Sequence, residues 1–379
     1  VVGAGNRANA YSQFAAKWPD RMKVVAVAET DEKKRRLFAG RYGIPEDMQF
    51  KSHTDLAARP KLADAVFNCT RDRLHHETSL PLLARGYHML LEKPIAATEQ
   101  ELRDIIAAAE KNRCTVMICH VLRYAPFYAR IKDIVASGRI GRIISLNTLE
   151  AVSYHHMATG YVRGRWHRTE DSASMLLNKC CHDLDIVAWL LQGTRPVRVS
   201  SAGSLMQFRP ENSPEGSAAR CLEGCQIERQ CQYSAKLLYL EKKRWQGYAF
   251  PGILELSKAS EAEKHEHLRK DSPWGRCVWH CDNDVVDHQS VLVEFESGVT
   301  ATHDMFCATA RPERRIHIIG STGEIEGEME AGIIKVRTPN FQPVPESCDE
   351  EIIDINVDLG GDAVGHGGGD ERLVDDFLA

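Results

Sequence analysis

The chain has 379 residues, of which 43% are hydrophobic and 27% are charged, and its formal net charge is −5. This length suggests two domains of about 100–200 residues each, and the composition is that of a folded globular protein, not of a disordered or fibrous one. The small negative charge gives no reason to expect nucleic acid or a membrane as a partner. No segment approaches the ~20 uninterrupted apolar residues of a membrane-spanning helix, and no secretory signal is recognisable.

The twelve cysteines predict a reduced, cytoplasmic protein. Several of them, such as Cys69, Cys119 and Cys180, lie in apolar runs. This scatter is typical of buried free thiols and not of a disulfide framework. The sequence begins with "VVGAGNR", without a methionine, and ends with "ERLVDDFLA" inside a helical pattern, so we expect a few residues to be missing at both ends.

Strand and helix patterns alternate over the first 119 residues. Apolar runs typical of buried parallel strands occupy residues 1–3, 23–29, 64–70, 87–92 and 114–119. The clearest helix covers residues 98–112, where Thr98 and Glu101 form a capping box. This alternation predicts an α/β domain with a doubly wound parallel sheet of the Rossmann type over residues 1–120.

The remaining residues, 121–379, predict a second domain of the α+β class. Helices are predicted near residues 124–137 and 174–191. The β-rich stretches after residue 285 are separated by Gly-containing turns and predict a mostly antiparallel sheet. A polar, Cys-bearing insertion lies at about 205–280, and "HGGGD" (366–370) predicts a turn before the last helix.

A Gly-rich turn, "GAGNRA" (3–8), joins the first strand to the first helix. It matches the dinucleotide-binding pattern G-x-G-x-x-G/A, in which Gly3 makes the tight turn and Gly5 lets the backbone approach a pyrophosphate. The second strand ends with Glu29, whose carboxylate can accept the ribose hydroxyls and repel a 2′-phosphate, which favours NAD. Two alternatives stay open: a turn that binds no ligand, and NADP tolerated by the basic run "KKRR" (33–36).

The step Glu92-Lys93-Pro94 stands at the end of the predicted strand 87–92. Ligands of open α/β sheets bind at the carboxyl ends of the strands. A lysine there is a donor and a positive charge for a nicotinamide and a substrate hydroxyl. Pro94 fixes the direction in which the chain leaves, and the Lys93–Pro94 bond could be cis. The alternative is a surface ion pair at a strand end.

The predicted helix 174–191 carries polar residues within an apolar sequence. Asn178, His182, Asp185 and Trp189 fall on one helix face, and Lys179 precedes His182 by three residues. Histidine is the natural general base near neutral pH, so His182 is the predicted base. The alternative is a core histidine whose ring nitrogens are satisfied by neighbours.

The segment "SYHHMATGYVRGRWHR" (153–168) combines polar and aromatic residues just before that helix. These residues are His155, His156, Arg163, Trp166 and His167. Aromatic faces cover the apolar side of a sugar ring, while Arg and His donate to hydroxyls or a carboxylate. The pattern predicts a carbohydrate-binding segment, and the alternative is an ordinary exposed loop.

The insertion contains a possible metal site. Cys221, Cys225 and Cys231 have the spacing C-x3-C-x5-C, and Cys277 is the favoured fourth ligand, followed by Cys281. Four thiolates would make a tetrahedral structural zinc site, which could order an insertion that lacks a core of its own. Unrelated free thiols, a disulfide or an iron–sulfur cluster are the alternatives.

Five motifs occur in the order found in one known family. They are "GAGNRA" with the acidic end of the second strand, "CTRDRLHHE" (69–77), "EKPIA" (92–96), "HVLRYAP" (120–126) and "LLNKCCHDLD" (176–185). In these motifs the chain resembles, over essentially its whole length, the glucose–fructose oxidoreductase, inositol dehydrogenase and rhizopine-catabolism family (Gfo/Idh/MocA). The resemblance implies a Rossmann domain, and a C-terminal α+β domain whose open antiparallel sheet joins subunits into homodimers or homotetramers. It also implies NAD(P)-dependent chemistry on a secondary alcohol of a sugar or cyclitol.

The resemblance implies roles for individual residues. Lys93 looks like the family lysine that contacts cofactor and substrate, and His182 looks like the family general acid/base. The catalytic residues predicted in this way are Lys93, His182 and Lys179. The predicted cofactor site comprises Gly3, Gly5, Asn6, Arg7, Glu29, Thr70, Arg71, His75, Glu92 and Lys93. The predicted substrate site comprises Arg123, Tyr124, His155, Arg163, Trp166, Asn178, Lys179 and His182.

Asn178 departs from the family pattern, because many dehydrogenases of the family have Asp four residues before the histidine. The favoured function is still an NAD(P)-dependent oxidoreductase in which His182 takes the hydroxyl proton and Lys93 stabilises the developing alkoxide. Two alternatives stay open. One is a glycosidase or lyase that keeps its NAD and acts by transient oxidation and elimination; the other is a non-catalytic NAD- and sugar-sensing protein.

Overall fold

The structure is a computed structural model that describes residues 1–251, 258–270, 272–340, 342, 347–358 and 365–379. The chain forms two compact units. One comprises Val1–Pro126 with Ala363–Ala379, and the other comprises Phe127–Asp362. The sequence predicted a second domain that runs to the last residue, whereas the final helix belongs to the first unit. No helix in the described part of the chain has the length and apolar character of a membrane span.

The first unit is built on a parallel sheet. In spatial order its strands are Gln49–Phe50, Val27–Ala28, the single bridging residue Val2, Ala65–Asn68, His88–Leu91 and Val116–Ile118. Val2 pairs in parallel with both Ala28 and Asn68, so the first strand lies where the strand order reverses. This is the Rossmann order, and the predicted fold is confirmed. The strand Gln49–Phe50 was not predicted, because two residues leave no apolar run to recognise.

Helices flank this sheet. They are Asn6–Lys17, Glu32–Tyr42, His53–Ala57, His75–Ala84 and Glu99–Asn112, with short 3-10 turns at Glu46–Met48, Asp72–Leu74 and Val121–Tyr124. The predicted capping box is confirmed, because Thr98 accepts from the backbone of Glu101 and the Glu101 carboxylate accepts from the backbone of Thr98. Satisfying two orphan donors in this way fixes the start of the helix.

The C-terminal helix, Gly365–Leu378, packs within the first unit. Leu373 and Val374 are fully buried in a cluster that includes Phe67 and Leu90 of the parallel sheet. These apolar contacts explain why the helix belongs to the first unit although it follows the second in sequence. The "HGGGD" stretch, predicted as a turn, lies inside the helix, with Gly368 at φ +85°.

The second unit contains an eight-stranded sheet. Its spatial order is Cys348–Asp354, Ile333–Pro339, Glu324–Glu328, Glu313–Gly320, Ile143–Ser153, Thr300–Thr309, His288–Phe295 and Pro196–Ser204. All neighbours pair antiparallel except Ile143–Ser153 and Thr300–Thr309, which pair in parallel. The prediction of a mostly antiparallel sheet is therefore confirmed. The two predicted long helices are Pro126–Ala136 and Met175–Leu190.

The insertion lies between the strands Pro196–Ser204 and His288–Phe295 and consists of short helices. The helices of the insertion are Pro210–Asn212, Glu228–Gln230, Lys236–Glu241, Gln246–Ala249, Glu261–Arg269, Pro273–Gly275 and Val278–His280. Two further short helices, Tyr154–His156 and Met157–Val162, precede the long helix Met175–Leu190, and Ile355–Asp358 follows the last strand. The sequence predicted that the insertion lacks a core of its own, and its buried residues belong to a cluster that it shares with the segment before the long helix. Tyr239, Phe250 and Leu268 are buried in one cluster with Met157 and Val162.

A buried guanidinium lies within this core. Arg163 is only 2% exposed. Its Nε donates to the carbonyl of Arg276 at 2.6 Å, and its Nη2 donates to the carbonyl of Tyr233 at 2.7 Å and to Cys221 Sγ at 3.4 Å. A buried charge needs such partners, so Arg163 ties the segment before the long helix to two separate parts of the insertion.

We predict that two helical glycines respond oppositely to alanine. A Cβ on Gly369 would lie 2.5 Å from the carbonyl oxygen of Val121, whereas a Cβ on Gly40 meets nothing within 4 Å. Gly369→Ala should therefore destabilise the protein by about 1–3 kcal/mol through overpacking, and Gly40→Ala should stabilise it by up to about 1 kcal/mol. Urea unfolding measures both, and equal effects would contradict the docking of the C-terminal helix.

We predict a structural role for Arg163. Arg163→Met should lower the free energy of unfolding by about 3 kcal/mol, because it leaves buried carbonyl oxygens without donors. The matched control is Arg165→Met, since Arg165 is exposed, and its effect should stay within about 0.5 kcal/mol. A stable Arg163→Met variant that loses only substrate affinity would instead support the substrate role predicted from the sequence.

Candidate functional site

The Gly-rich turn has the shape that a dinucleotide requires. Gly3 has φ +81°, and a Cβ there would lie 2.7 Å from the carbonyl oxygen of Cys69, so only glycine fits. A Cβ on Gly5 would meet nothing within 4 Å, so the turn is open at that residue. The helix Asn6–Lys17 begins without a side-chain cap or an acidic residue in its first turn. Its N–H groups therefore suit a pyrophosphate.

Glu29 lies at the end of the second strand, as predicted. Its Oε2 accepts from the backbone nitrogen of Ala4 at 2.8 Å, and its Oε1 accepts from that of Asp31 at 3.0 Å. The carboxylate thus braces the Gly-rich turn from the side where the adenosine ribose of a Rossmann ligand lies. Arg35 is buried and donates to the carbonyl of Glu29 at 2.5 Å. One guanidinium nitrogen of Arg35 is therefore bound within the protein, and the carboxylate of Glu29 at this position favours NAD over NADP.

Lys93 follows the strand His88–Leu91 at its carboxyl end, and the Lys93–Pro94 bond is cis. The preceding Glu92 is 5% exposed. Its Oε1 accepts from Tyr11 Oη at 2.6 Å and from Arg7 Nε at 3.0 Å, and its Oε2 accepts from the backbone nitrogen of Lys93 at 3.1 Å. Glu92 therefore orients the backbone that carries Lys93, and is not exposed for direct contact with a cofactor.

The segment 69–77 is joined to the same strand end by His75. This histidine is fully buried; its Nδ1 lies 2.7 Å from the carbonyl oxygen of Pro94, and its Nε2 lies 3.2 Å from that of Thr70. Thr70 donates through its hydroxyl to Asn68 Oδ1 at 2.8 Å. The structure thus brings Thr70 and His75 together with the Lys93–Pro94 step, while Asn6 and Arg71 are exposed.

Arg123 and Tyr124 lie in the 3-10 turn Val121–Tyr124, and both are half-buried. The Tyr124 hydroxyl donates to Asp376 Oδ2 of the C-terminal helix at 2.6 Å. This contact gives Tyr124 a structural partner within the first unit. The substrate role of Arg123 and Tyr124 stays a prediction.

In the second unit, the helix Met175–Leu190 begins at Ser174, whose hydroxyl accepts from the backbone of Leu177 at 3.3 Å. Asn178 and His182 are both buried, one helical turn apart. Asn178 Oδ1 accepts from the Tyr161 hydroxyl at 2.8 Å. Asn178 is the first residue of the helix face predicted from the sequence, and its amide is therefore fixed by Tyr161 of segment 153–168.

Lys179 belongs to a buried network of four charges. Its Nζ lies 3.0 Å from Glu150 Oε1, Arg314 lies 2.5 Å from Glu150 Oε2, and Arg314 Nε lies 3.0 Å from Asp183 Oδ1. Burial alone would raise the pKa of Glu150, but Arg314 and then Lys179 lower it below its usual value. Burial raises the pKa of Asp183 in spite of Arg314. With Glu150 ionised, Lys179 has a fixed anionic partner.

Five aromatic rings cluster beside this helix. His156 stacks on Trp245 at 4.3 Å, Tyr161 lies 5.5 Å from Trp166, and Tyr248 lies 5.0 Å from Trp245 and 5.9 Å from Trp166. We call these five residues the aromatic cluster. Because Tyr161 also binds Asn178, the cluster is continuous with the His182 helix.

Two predicted substrate residues have other surroundings. His155 is buried, and burial with the cations Arg244 and Lys242 lowers its pKa to about 4, so its ring is neutral near pH 7. The guanidinium of Arg163 donates to the carbonyls of Tyr233 and Arg276. These nitrogens are occupied within the protein, and the substrate role of Arg163 stays a prediction.

The predicted zinc site is not supported. Among the described residues, none of Cys221, Cys225, Cys231 and Cys277 belongs to a group whose metal-binding atoms all lie within 4.8 Å of one another. Burial raises the pKa of the Cys231 thiol to about 11 and also raises that of Cys277. The Arg163 guanidinium lies 3.4 Å from Cys221 Sγ and repels a cation.

Among the described residues, one group meets this distance condition, namely Cys180, Asp183 and His303. It adjoins the network of Glu150, Asp183, Arg314 and Lys179, in which two anions already balance two cations. Burial raises the pKa of Cys180 well above its usual value. A dication would thus enter a buried region whose charges are already balanced, and we assign no metal to it.

Several residues of the site were missed by sequence reasoning. Glu150 could have been noticed, because a Glu inside the apolar run "LEAVS" (149–153) signals a buried, paired charge. Trp245 and Tyr248 lie in the insertion that seemed only polar. Arg314 and Asp370 give no local signal for their contacts with Asp183 and Arg7, because those partners are more than 100 residues away in sequence.

Comparisons with known proteins agree with this geometry. The family model described as an oxidoreductase family with an NAD-binding Rossmann fold matches residues 1–120, and the GFO/IDH/MocA C-terminal domain model matches residues 128–228. The putative oxidoreductase YteT of Bacillus subtilis (strain 168) is 24% identical over 400 aligned positions, which cover 100% of this chain and 88% of the relative.

Further similarities are to enzymes named for sugars. The 1,5-anhydro-D-fructose reductase of Ensifer adhaerens is 30% identical over 169 residues, or 45% of this chain and 49% of the relative. The structure of levoglucosan dehydrogenase in complex with NADH and L-sorbose shares the fold, with a TM-score of 0.70 at 16% identity, over 100% of this chain and 87% of that chain. Since the two family models together span more than half of the sequence, the chain belongs to the Gfo/Idh/MocA family of NAD-binding oxidoreductases.

Proposed function

We propose that the protein is an NAD-dependent oxidoreductase that acts on a secondary alcohol of a sugar, a cyclitol or a sugar derivative. The observation that carries the proposal is the strand end in the first unit. Lys93 follows a parallel strand whose sheet also carries the open Gly-rich turn, and Glu92 and His75 hold the chain on either side of it. A cation braced at the carboxyl end of a Rossmann strand is placed for chemistry on a ligand of that sheet.

The protein's own residues would manage the proton and the developing charge. His182 accepts the proton of the substrate hydroxyl as general base. Lys93 donates to the same oxygen as it becomes an alkoxide, and Lys179, held by Glu150, supplies a second positive charge. When bound, the nicotinamide supplies the hydride acceptor. Asn178 cannot take a proton, so its part is to orient its neighbours through the Tyr161 hydroxyl.

Three features support a carbohydrate substrate. The aromatic cluster offers half-buried ring faces at Trp166, Trp245 and Tyr248, which suit the apolar side of a sugar ring. Tyr161 connects this cluster to the helix of His182. Two relatives are named for sugar-related substrates, 1,5-anhydro-D-fructose and levoglucosan.

We predict that His182→Ala lowers the turnover number by about 10²- to 10⁴-fold. The measurement is a screen of sugars, cyclitols and aryl glycosides with NAD present, which follows both NADH absorbance and released aglycone. The matched control is His317→Ala, because His317 lies on a strand and pairs with Glu324 away from the helix. A turnover near that of the wild type would remove His182 from the mechanism.

The same screen separates the competing functions. Net oxidation requires NADH to accumulate with the substrate consumed. Release of aglycone at catalytic NAD, without NADH accumulation, would replace our proposal by elimination through transient oxidation. Binding of NADH and sugar without any turnover would point to the sensing function.

We predict that Glu150→Gln uncouples Lys179 from its partner. It removes one charge from a buried network and should destabilise the protein by about 3 kcal/mol. It should also reduce the turnover number without changing the Kd for NADH. The control is Glu330→Gln, because Glu330 Oε1 lies 4.0 Å from the guanidinium of the same Arg314 and its side chain is 33% exposed. A glutamine oxygen can still accept from the backbone nitrogen of Arg314, as Glu330 Oε2 does at 2.5 Å, so the cost should stay below about 1 kcal/mol. Equal activities of the two variants would show that Lys179 does not act.

A further inference from the structure

We propose that Asp370, on the C-terminal helix, is a positioning residue that sets the place of Lys93 through Arg7 and Glu92. The inference rests on the proposed function of Lys93. It gives the last helix of the chain a part in the cofactor-binding end of the sheet, although that helix carries none of the family motifs recognised in the sequence.

The first link is a bidentate ion pair. Asp370 Oδ1 accepts from Arg7 Nη2 at 2.6 Å, and Asp370 Oδ2 accepts from Arg7 Nη1 at 3.1 Å. The side chain of Arg7 is 29% exposed and that of Asp370 is 17% exposed, so solvent screens the contact only in part. Paired hydrogen bonds of this kind fix the plane of the guanidinium as well as its distance.

The second link uses the remaining edge of the same guanidinium. Arg7 Nε donates to Glu92 Oε1 at 3.0 Å, and Tyr11 donates to the same oxygen at 2.6 Å. The other carboxylate oxygen, Oε2, accepts from the backbone nitrogen of Lys93 at 3.1 Å. An uninterrupted series of hydrogen bonds thus runs from the C-terminal helix to the backbone of Lys93, within one compact unit.

The contacts of Arg7 differ from those expected of the cofactor ligand predicted from the sequence. The sequence predicts Arg7 as a cofactor ligand, but its nitrogens donate to two carboxylates and its guanidinium lies 4.5 Å from the centre of the Tyr11 ring. Although burial opposes the charge, Asp370 and Glu92 raise the pKa of Arg7. Arg7 therefore acts as a fixed cation that joins the Gly-rich turn to the strand end of Lys93.

The C-terminal helix has enough other contacts to stay in place without Asp370. Leu373 and Val374 are fully buried. Glu371 pairs with Lys17 at 2.8 Å, and Asp375 pairs with Arg21. The loss of Asp370 should therefore affect position more than folding, and the two can be separated by experiment.

The experiment compares Asp370→Asn with Asp375→Asn. Both remove one carboxylate charge from the same helix, but Asp375 pairs with the exposed Arg21 and lies outside the series. Two quantities are measured: the Kd for NADH by fluorescence titration, and the hydrogen-exchange rate of the Lys93 backbone amide by mass spectrometry or NMR. We expect Asp370→Asn to raise both by about 10-fold, while its melting temperature matches that of Asp375→Asn. Equal values for the two variants would overturn the proposal.

A double-mutant cycle tests the route. In an Arg7→Met background, Asp370→Asn should have little further effect on either quantity, because the link is already broken. An undiminished effect would show that Asp370 acts by another path. Failure of the proposed function is visible separately, as a wild-type protein that binds NADH but oxidises no substrate, or as a Lys93→Met variant with unchanged turnover.

Discussion

The first unit depends on one buried carboxylate. Glu92 stands at the end of a parallel strand, where it loses contact with water and must find donors within the protein. Its donors come from the first helix, through Arg7 and Tyr11, and from the backbone of Lys93. Because Arg7 also binds Asp370, satisfying this single anion brings together the Gly-rich turn, the strand end and the last helix. The ordering of a nucleotide-binding edge thus follows from the cost of leaving a buried charge unpaired.

The second unit also contains a buried carboxylate that needs partners, but here the partners are charged side chains. Glu150 is also a buried carboxylate, on a central strand of the eight-stranded sheet, and its partners are the side chains of Arg314 and Lys179. Arg314 continues the network to Asp183 on the helix of His182. The sheet and the helix are joined by charge pairs in addition to apolar packing. Removing one member would leave the others buried without balance, so we expect single substitutions in this network to destabilise the protein.

The sequence predicted what depends on near neighbours. Three features could be recognised from fewer than ten consecutive residues each: the Gly-rich turn, the capping box of Thr98 and the strand end of Lys93. The contacts of Arg7 with Asp370 and of Arg163 with Arg276 join residues that only the fold brings together. The insertion was misjudged for a related reason. Its aromatic residues are spaced irregularly among polar ones, so neither a helical nor a strand period revealed that they are buried in a shared cluster.

The two lysines proposed for catalysis are held in different ways, and this difference suggests a different role for each. Glu92 binds Lys93 through the backbone nitrogen, so this contact fixes where the side chain starts. Glu150 binds Lys179 through the ammonium itself, at 3.0 Å. A substrate oxygen that develops charge would have to compete with the Glu150 carboxylate for the ammonium of Lys179. In the proposed reaction we therefore assign Lys179 an electrostatic contribution beside His182, and Lys93 keeps the part of donor that the family resemblance implies.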